Sequence, residues 1–192
     1  MINEEKKPSS FATVPGILGL AVLIMVLAGF LWYWRAHQEK PVPEPAPTPT
    51  PTPAPELSNL ALTSHLTASH ASPDAPPSLA ADGDIRTSWN AGGFPPQWID
   101  VGFQQPSNIV KLRLVVNQAP AGDTSHVVLG HSASGGDYEV LYEFKGITED
   151  KGALEYSPPN AWKDIDHLRI ETTTSPSWVS WREIQIDGYG KR

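Results

Sequence analysis

The chain contains no cysteine. That removes disulfides, thiolate metal sites and cysteine nucleophiles together, and leaves the compartment open. Also missing are a G-x-S-x-G elbow, an H-E-x-x-H pair and a phosphate-cradling glycine loop, so the common hydrolase, zinc-protease and nucleotide-binding signatures are excluded. From Leu57 onward no stretch of helical hydrophobic period reaches three turns, and no internal repeat is present. Positive charge is scarce: 14 Lys and Arg stand against 21 Asp and Glu, a net −7. From Leu57 onward 10 Lys and Arg face 16 Asp and Glu, so this part carries −6 of that charge. An acidic domain repels phosphate backbones and anionic headgroups, which argues against nucleic acid as a partner.

What the chain does have is sharply divided. After a short tail, residues 1–10, the run Phe11–Trp34 holds no charged residue and is mostly Leu, Val, Ile, Ala, Gly and Phe. About 20 apolar residues cross ~30 Å of hydrocarbon as a helix, so this run predicts a transmembrane helix over 11–34. Pro15 falls in its first turns, where it does least harm. Trp32, Tyr33 and Trp34 close the run, where amphipathic rings favour the headgroup layer. A cleaved signal peptide is the alternative. It would need a shorter apolar region and a small-x-small cleavage site, whereas this segment ends in Leu-Trp-Tyr-Trp-Arg.

Residues 35–56 form a Pro/Thr-rich linker. Within it, PVPEPAPTPTPTPAPE (Pro41–Glu56) has proline at nearly every second position. Such a tract lacks the N–H groups of helix or sheet and adopts extended polyproline II. At ~3.1 Å per residue it reaches on the order of 50 Å. A docking site for an intracellular proline-binding domain is the competing reading. Lys6 and Lys7 before the apolar run are matched by Arg35 and Lys40 after it, so charge barely decides the orientation. The spacer and the domain behind it point to a cytoplasmic N-terminus and an extracellular C-terminal domain, on a single-pass protein of the cell membrane.

Residues 57–192 read as one all-β domain. Short β-rich stretches (Trp98–Phe103, Ile109–Asn117, His126–His131, Tyr138–Phe144, Leu168–Thr173 and Glu183–Asp187) alternate with Gly, Pro, Asn and Asp clusters. Ile109, Leu112, Leu114 and Val116 approximate a period of two, as do Val140, Tyr142 and Phe144. Ile165, Leu168, Ile170, Ile184 and Ile186 continue the pattern. Many short strands with frequent turns indicate a sandwich or barrel. Trp89 and Trp98 are large enough to dominate a small core.

Leu79–Trp89 reads LAADGDIRTSW, followed by Trp98-Ile99-Asp100-Val101. With Ala68-Ser69 before it and Arg182-Glu183-Ile184-Gln185-Ile186 near the end, this run resembles the discoidin, or factor 5/8 type C, family. That family includes the family-32 carbohydrate-binding modules, and the resemblance covers roughly Leu57 to Gly188. It implies an eight-stranded jelly-roll β-sandwich of the galactose-binding type with its chain ends close together. It also implies a structural calcium. Asp82 and Thr87 would give side-chain oxygens, Leu79, Asp84 and Thr87 carbonyls, and Glu183 with the carbonyl of Arg182 would close the shell. Two aspartates and a threonine around Gly83 are hard-oxygen chemistry that suits calcium. The position twelve from Asp82 is Gly93, so the loop is no EF-hand. An Asx-turn, with the aspartates bonded to their own backbone, is the alternative.

The resemblance further implies ligand recognition by loops at one end of the sandwich: Ala71–Ser78, Asn90–Gln97, Gln118–Ser125 and Thr172–Ser180. A sugar needs an aromatic face and planar polar groups. Trp178 is the candidate face, with Gln118, Asp123 and His126 the candidate polar partners; rim packing of Trp178 and a structural His126 remain the plain alternatives. Phospholipid binding would need apolar loop tips in a basic surround, which these loops lack. The expected function is a non-enzymatic binding module whose partner is a glycan or, alternatively, a cell-surface protein.

Overall fold

A computed structural model of the chain describes residues 16–38 and 54–191, with side chains described from Val22 in the first stretch. It divides into two units, Met1–Thr52 and Pro53–Arg192. The first holds helix α1, Gly16–Ala36, so the apolar segment is helical from Gly16 and runs two residues beyond Trp34. Residues 11–15 of the expected span, and the linker from Glu39 to Pro53, lie outside the described residues. Among the described residues no helix is long and apolar enough to cross a membrane.

The second unit is all-β, with nine antiparallel strands: β1 Ser58–Asn59, β2 His65–Ala68, β3 Trp89–Asn90, β4 Gln97–Val116, β5 Gly122–Ser132, β6 Glu139–Thr148, β7 Ala153–Tyr156, β8 Trp162–Thr174 and β9 Ser180–Gly190. The backbone path runs β1-β9-β4-β8-β5-β6, with β2 and β7 also on β4 and β3 on β9. Eight strands were expected. The two expected stretches Trp98–Phe103 and Ile109–Asn117 are halves of the single strand β4, while the two-residue strands β1 and β3 are too short to carry an alternating pattern.

β4 organises the sandwich. Its first half pairs with β2 (Ile99 with Ala68) and β8 (Gln97 with Thr172), and its second half with β9 (Val116 with Trp181) and β7 (Leu114 with Leu154). Between Gly102 and Ile109 the register with β8 shifts. Such irregularities are how a strand turns a corner from one layer to the other. Gln97 and Val116 therefore stand at the same end of the sandwich, and the bend at Gln104–Pro106 at the opposite end.

The core sits between the layers. Ile99, Ile109, Leu112, Leu114, Leu168, Ile170, Ile184 and Ile186 are fully buried, as are Val101 and Trp89, with Trp181 at 1% exposure. Each aliphatic side chain contributes ~1.5–3 kcal/mol on burial. The alternation read from the sequence holds on β4, β8 and β9 and breaks on β6. There Phe144 is buried, Tyr142 is half-buried and Val140 is exposed, because β6 ends the strand path and its register with β5 shifts between Val128 and Leu129. Trp98 is half-buried on the outer face, with the Arg169 guanidinium 4.3 Å above its ring.

Two residues expected at the ligand loops belong to the interior. His126, at 3% exposure, sets Nδ1 2.9 Å from the Thr172 hydroxyl and its ring edge-on to Trp181 at 4.8 Å. Its Nε2 has no partner among the described residues. Gln118, at 5% exposure, donates to the Thr148 carbonyl (3.1 Å) and accepts from the Thr148 hydroxyl (2.9 Å), which fastens the β4–β5 loop to the end of β6. Both point inward because β8 and β6 bring polar partners, Thr172 and Thr148, to them below the loop tips.

Burial pushes the His126 imidazole down to about 4 from its ordinary 6.5, since desolvation opposes the charged form. The unfolded chain therefore takes up this proton first. The stabilisation is complete above the unfolded value and is lost as pH falls through the window from 6.5 to about 4. Urea denaturation at pH 7.5 and pH 5 should show the wild type losing about 2 kcal/mol more than His126→Gln over that step; equal losses would place the imidazole in solvent.

Candidate functional site

Loops from three parts of the chain meet at the end of the sandwich where β4 starts and finishes. They enclose a groove of about 450 Å³, lined chiefly by Asn90, Phe94, Asn117, Pro120, Pro176 and Trp178. That volume lies in the usual range for small-molecule clefts, roughly 300–1,000 Å³. The backbone ties two of the loops together: Val179 N–H donates to the Gly93 carbonyl (3.0 Å) and Ala91 N–H to the Val179 carbonyl (2.9 Å). Val179 and Trp181 enter the core, and Trp178 is turned out beside them at 51% exposure. Phe94 on the facing loop is 59% exposed.

The polar lining is oriented from beneath. Ser180 spends its hydroxyl proton on the Trp89 carbonyl. It can then only accept from Asn117, whose amide NH2 stands 2.9 Å from Ser180 Oγ and 3.0 Å from Ser88 Oγ. This fixes the Asn117 carboxamide and leaves its Oδ1 without a protein donor among the described residues. Asn90 is the reverse: its Oδ1 accepts from Gly92 N–H at 2.7 Å, and its NH2 group is unengaged among the described residues. An exposed indole flanked by one free acceptor and one free donor can hold a ring with an apolar face and hydroxyls at its edge.

Of the four residues expected to bind ligand, Trp178 lines this groove. Gln118 and His126 lie beneath it as interior groups, and Asp123 is exposed on β5 outside the lining. Asn90 and Phe94 lie in the expected loop Asn90–Gln97 without having been singled out, and Asn117 lies outside the expected loops. The available signal was position: Asn117 is the first polar residue past the apolar run ending at Val116, and Asn90 directly follows the buried Trp89.

The loop after the short 3-10 turn Pro77–Ala80 gathers oxygens. The Thr87 hydroxyl stands 2.7 Å from the Asp84 carbonyl, 2.8 Å from the Asp82 carboxylate and 3.4 Å from the Leu79 carbonyl. One hydroxyl proton cannot serve three acceptors, so the loop holds a surplus of oxygen lone pairs. Glu183, at 5% exposure, reaches the same loop and accepts from Gly83 N–H at 3.2 Å. Desolvation raises its pKa above the ordinary range, and the charges of Asp82 and Asp84 add to the rise. The Asp84 carboxylate faces outward onto Arg86 at 2.7 Å, and this hydrogen bond holds its pKa down to about 2. Arg182 sends its guanidinium to Asp150 (2.8 Å) and the Ile85 carbonyl (3.2 Å). The Asx-turns are also present, with Asp84 N–H on Asp82 and Arg86 N–H on Asp84, each at 2.9 Å. Among the described residues no group of three His, Cys, Asp or Glu side chains converges. The Asp82, Thr87 and Glu183 side chains with the Leu79 and Asp84 carbonyls are nonetheless a donor set of the hard-oxygen kind that calcium takes.

Comparison with known proteins agrees with this architecture. Residues 65–184 match the F5/8 type C domain. No curated protein matches the chain. Among solved structures, the family 32 carbohydrate-binding module of Clostridium perfringens NanJ, in complex with galactose, superposes with a TM-score of 0.60 at 14% identity, over 69% of this chain and 99% of that one. A mutant of chitosan-binding module 1, from a chitosanase/glucanase of Paenibacillus sp. IK-5, gives 0.57 at 25% identity, over 68% and 98%. Chitosan-binding module 2 from the same enzyme, in complex with chitotriose, gives 0.56 at 23% identity, over 69% and 100%. With the family matched over most of the β-unit and the sandwich reproduced end to end, the chain belongs to the F5/8 type C domain family.

Proposed function

We propose that this protein is a non-catalytic carbohydrate-binding module, held at the outer face of the cell membrane, that takes a sugar in the groove beside Trp178. The observation that carries the reading is the exposed Trp178 ring standing with an orphan acceptor on Asn117 and an orphan donor on Asn90. Sugar-complexed modules among the structural neighbours support it. Membrane anchoring is supported by the uncharged run Phe11–Trp34 and by the exposed apolar side chains of α1 from Val22 to Leu31, which need cover from water. A stiff spacer from Pro41 to Glu56 would lift the domain off the bilayer. The exposed Phe94 beside Trp178 favours a second reading, docking of a protein through an aromatic patch.

Calcium belongs to the proposal as a structural ion in the 79–87 loop. It would neutralise Asp82 and Glu183 and tie β9 to the loop that precedes β3. This supplies to a cysteine-free domain a cross-link between distant parts of the sequence.

Three outcomes are expected. On a glycan array, the detergent-purified full chain in calcium buffer should bind a coherent set of sugars, and Trp178→Ala should weaken it at least about tenfold with an unchanged melting temperature. A folded chain that binds no sugar would favour the protein partner. Replacing EDTA by calcium at about 100 times its Kd should raise the melting temperature by roughly 5–10 °C, and Glu183→Gln should remove most of that rise; identical melting curves would eliminate the ion. In cell fractions the protein should resist carbonate extraction, and extraction with the peripheral proteins would refute the anchor.

A further inference from the structure

A second cavity, of about 440 Å³, lies at the other end of the sandwich, lined by Ser132, Ser134, Asp137, Glu139, Trp162 and Lys163 among others. β5 gives the separation. It leaves the first groove at Gly122 and reaches this cavity at Ser132, eleven residues in all, or on the order of 30 Å of strand. Leu141 and Ile165 form the floor. Gly130 lets them close in, for a Cβ there would stand 2.6 Å from Leu141 and 3.2 Å from Ile165.

The walls are held in place from outside the cavity. Ala133 N–H donates to the Asp164 carbonyl at 2.9 Å, and Gly135 N–H to the Ser132 carbonyl at 2.8 Å. Tyr138, just past the loop, donates its hydroxyl to the buried Asp100 at 2.6 Å. His131, just before it, is bonded to Asp166 at 2.6 Å. The loop is thus clamped on both sides by groups anchored in β4 and β8. Trp162 stacks on Tyr156 at 5.8 Å, which fixes the indole where it borders the cavity.

The chemistry of the lining selects among ligands. The carboxylates of Asp137 and Glu139 and the amine of Lys163 make no hydrogen bond or ion pair among the described residues, and the Ser132 and Ser134 hydroxyls, 2.8 Å apart, add groups that both give and accept. A small anion would meet two carboxylates, and a small cation would meet Lys163. A neutral polyol, whose every hydroxyl donates and accepts, suits acceptors and donors arranged around one aromatic ring. We propose that this cavity is a second saccharide site, so that one copy of the domain holds two glycan segments at opposite ends and bridges them.

The test uses the 15N-labelled full chain in detergent micelles, titrated with two neutral saccharides, galactose and N,N′,N″-triacetylchitotriose. Two separate groups of amide shifts should appear, one around Asn117 and Trp178 and one around Gly135, Gly136 and Lys163. The exposed pair Asp137→Ala with Glu139→Ala should weaken the second group about tenfold and leave the first unchanged, and Trp178→Ala should do the reverse. Trp162 packs on Tyr156 and is left intact to protect the fold. Shifts confined to the first group would overturn the second site and leave the first standing. Shifts confined to the second group would do the opposite, and shifts at neither would overturn both. An amine such as glucosamine shifting the second group where galactose and the N-acetylated trimer do not would overturn the neutral-sugar assignment.

Discussion

Everything at the two ends of the domain depends on one strand serving both layers. β4 descends one wall from Gln97, turns at Gln104–Pro106 and climbs the other to Val116. Its backbone is bonded to β2 and β8 on the way down and to β9 and β7 on the way back. The loops on either side of it, 90–96 and 117–121, are for that reason brought to the same end, though some twenty residues of strand separate them. The groove at Trp178 exists because of this return. A strand confined to one layer would put Phe94 and Asn117 at opposite ends.

The strand also carries the most polar buried residue of the outer face. Asp100 lies between Ile99 and Val101, which enter the core, so its own side chain points away from it; yet it is 3% exposed. It accepts from Tyr138 at 2.6 Å, His167 at 2.7 Å and Arg169 at 3.1 Å. Arg169 completes the cover, its guanidinium 4.3 Å from the Trp98 ring and 4.2 Å from the Tyr138 ring. Burial and the bond to Asp100 push the Tyr138 phenol up to about 12, so it remains a donor across the physiological range. A buried carboxylate is costly unless each lone pair is answered, and here three donors from β8 and the head of β6 answer it. What this arrangement contributes is position: it fixes where β6 begins, and with that the loop before it.

Much of this architecture is legible in the amino-acid sequence. The period of two on β4, β8 and β9 marked the core residues directly, because a strand with one face buried must alternate. The family hallmarks from Leu79 to Val101 marked the fold. The continuity of β4 was not legible, since Gln104, Gln105, Pro106 and Ser107 read as a loop and only the partner strands make them a bend. The interior places of His126 and Gln118 were hidden for a similar reason. A polar residue is assigned to the surface until its partner is known, and Thr172 and Thr148 stand 46 and 30 residues away. Trp178 was legible because it follows the turn-prone residues Ser175, Pro176 and Ser177, and a large ring beside such a stretch has little to pack against. The asparagines beside it were not, because their free atoms are decided by Ser88, Ser180 and Gly92, three contacts no pattern contains.

The same geometry bears on how a weak binder could act. A sugar held in such a shallow groove would be covered on one face only, and single contacts of that kind dissociate quickly. Affinity at a surface then comes from copies acting together, through the effective concentration that tethering creates. A membrane-held domain on a stiff spacer would confine its copies to one layer, which raises that concentration for any polymer lying across them. Two sites at opposite ends of a rigid sandwich would extend the effect out of the plane, because the strand length between them prevents both from closing on the same sugar. The second segment bound would then belong to a distant part of the polymer or to another chain. Avidity of this kind needs no new contact and no larger interface. It needs only that the spacing be fixed, and the clamped loops at either end of β5 provide that.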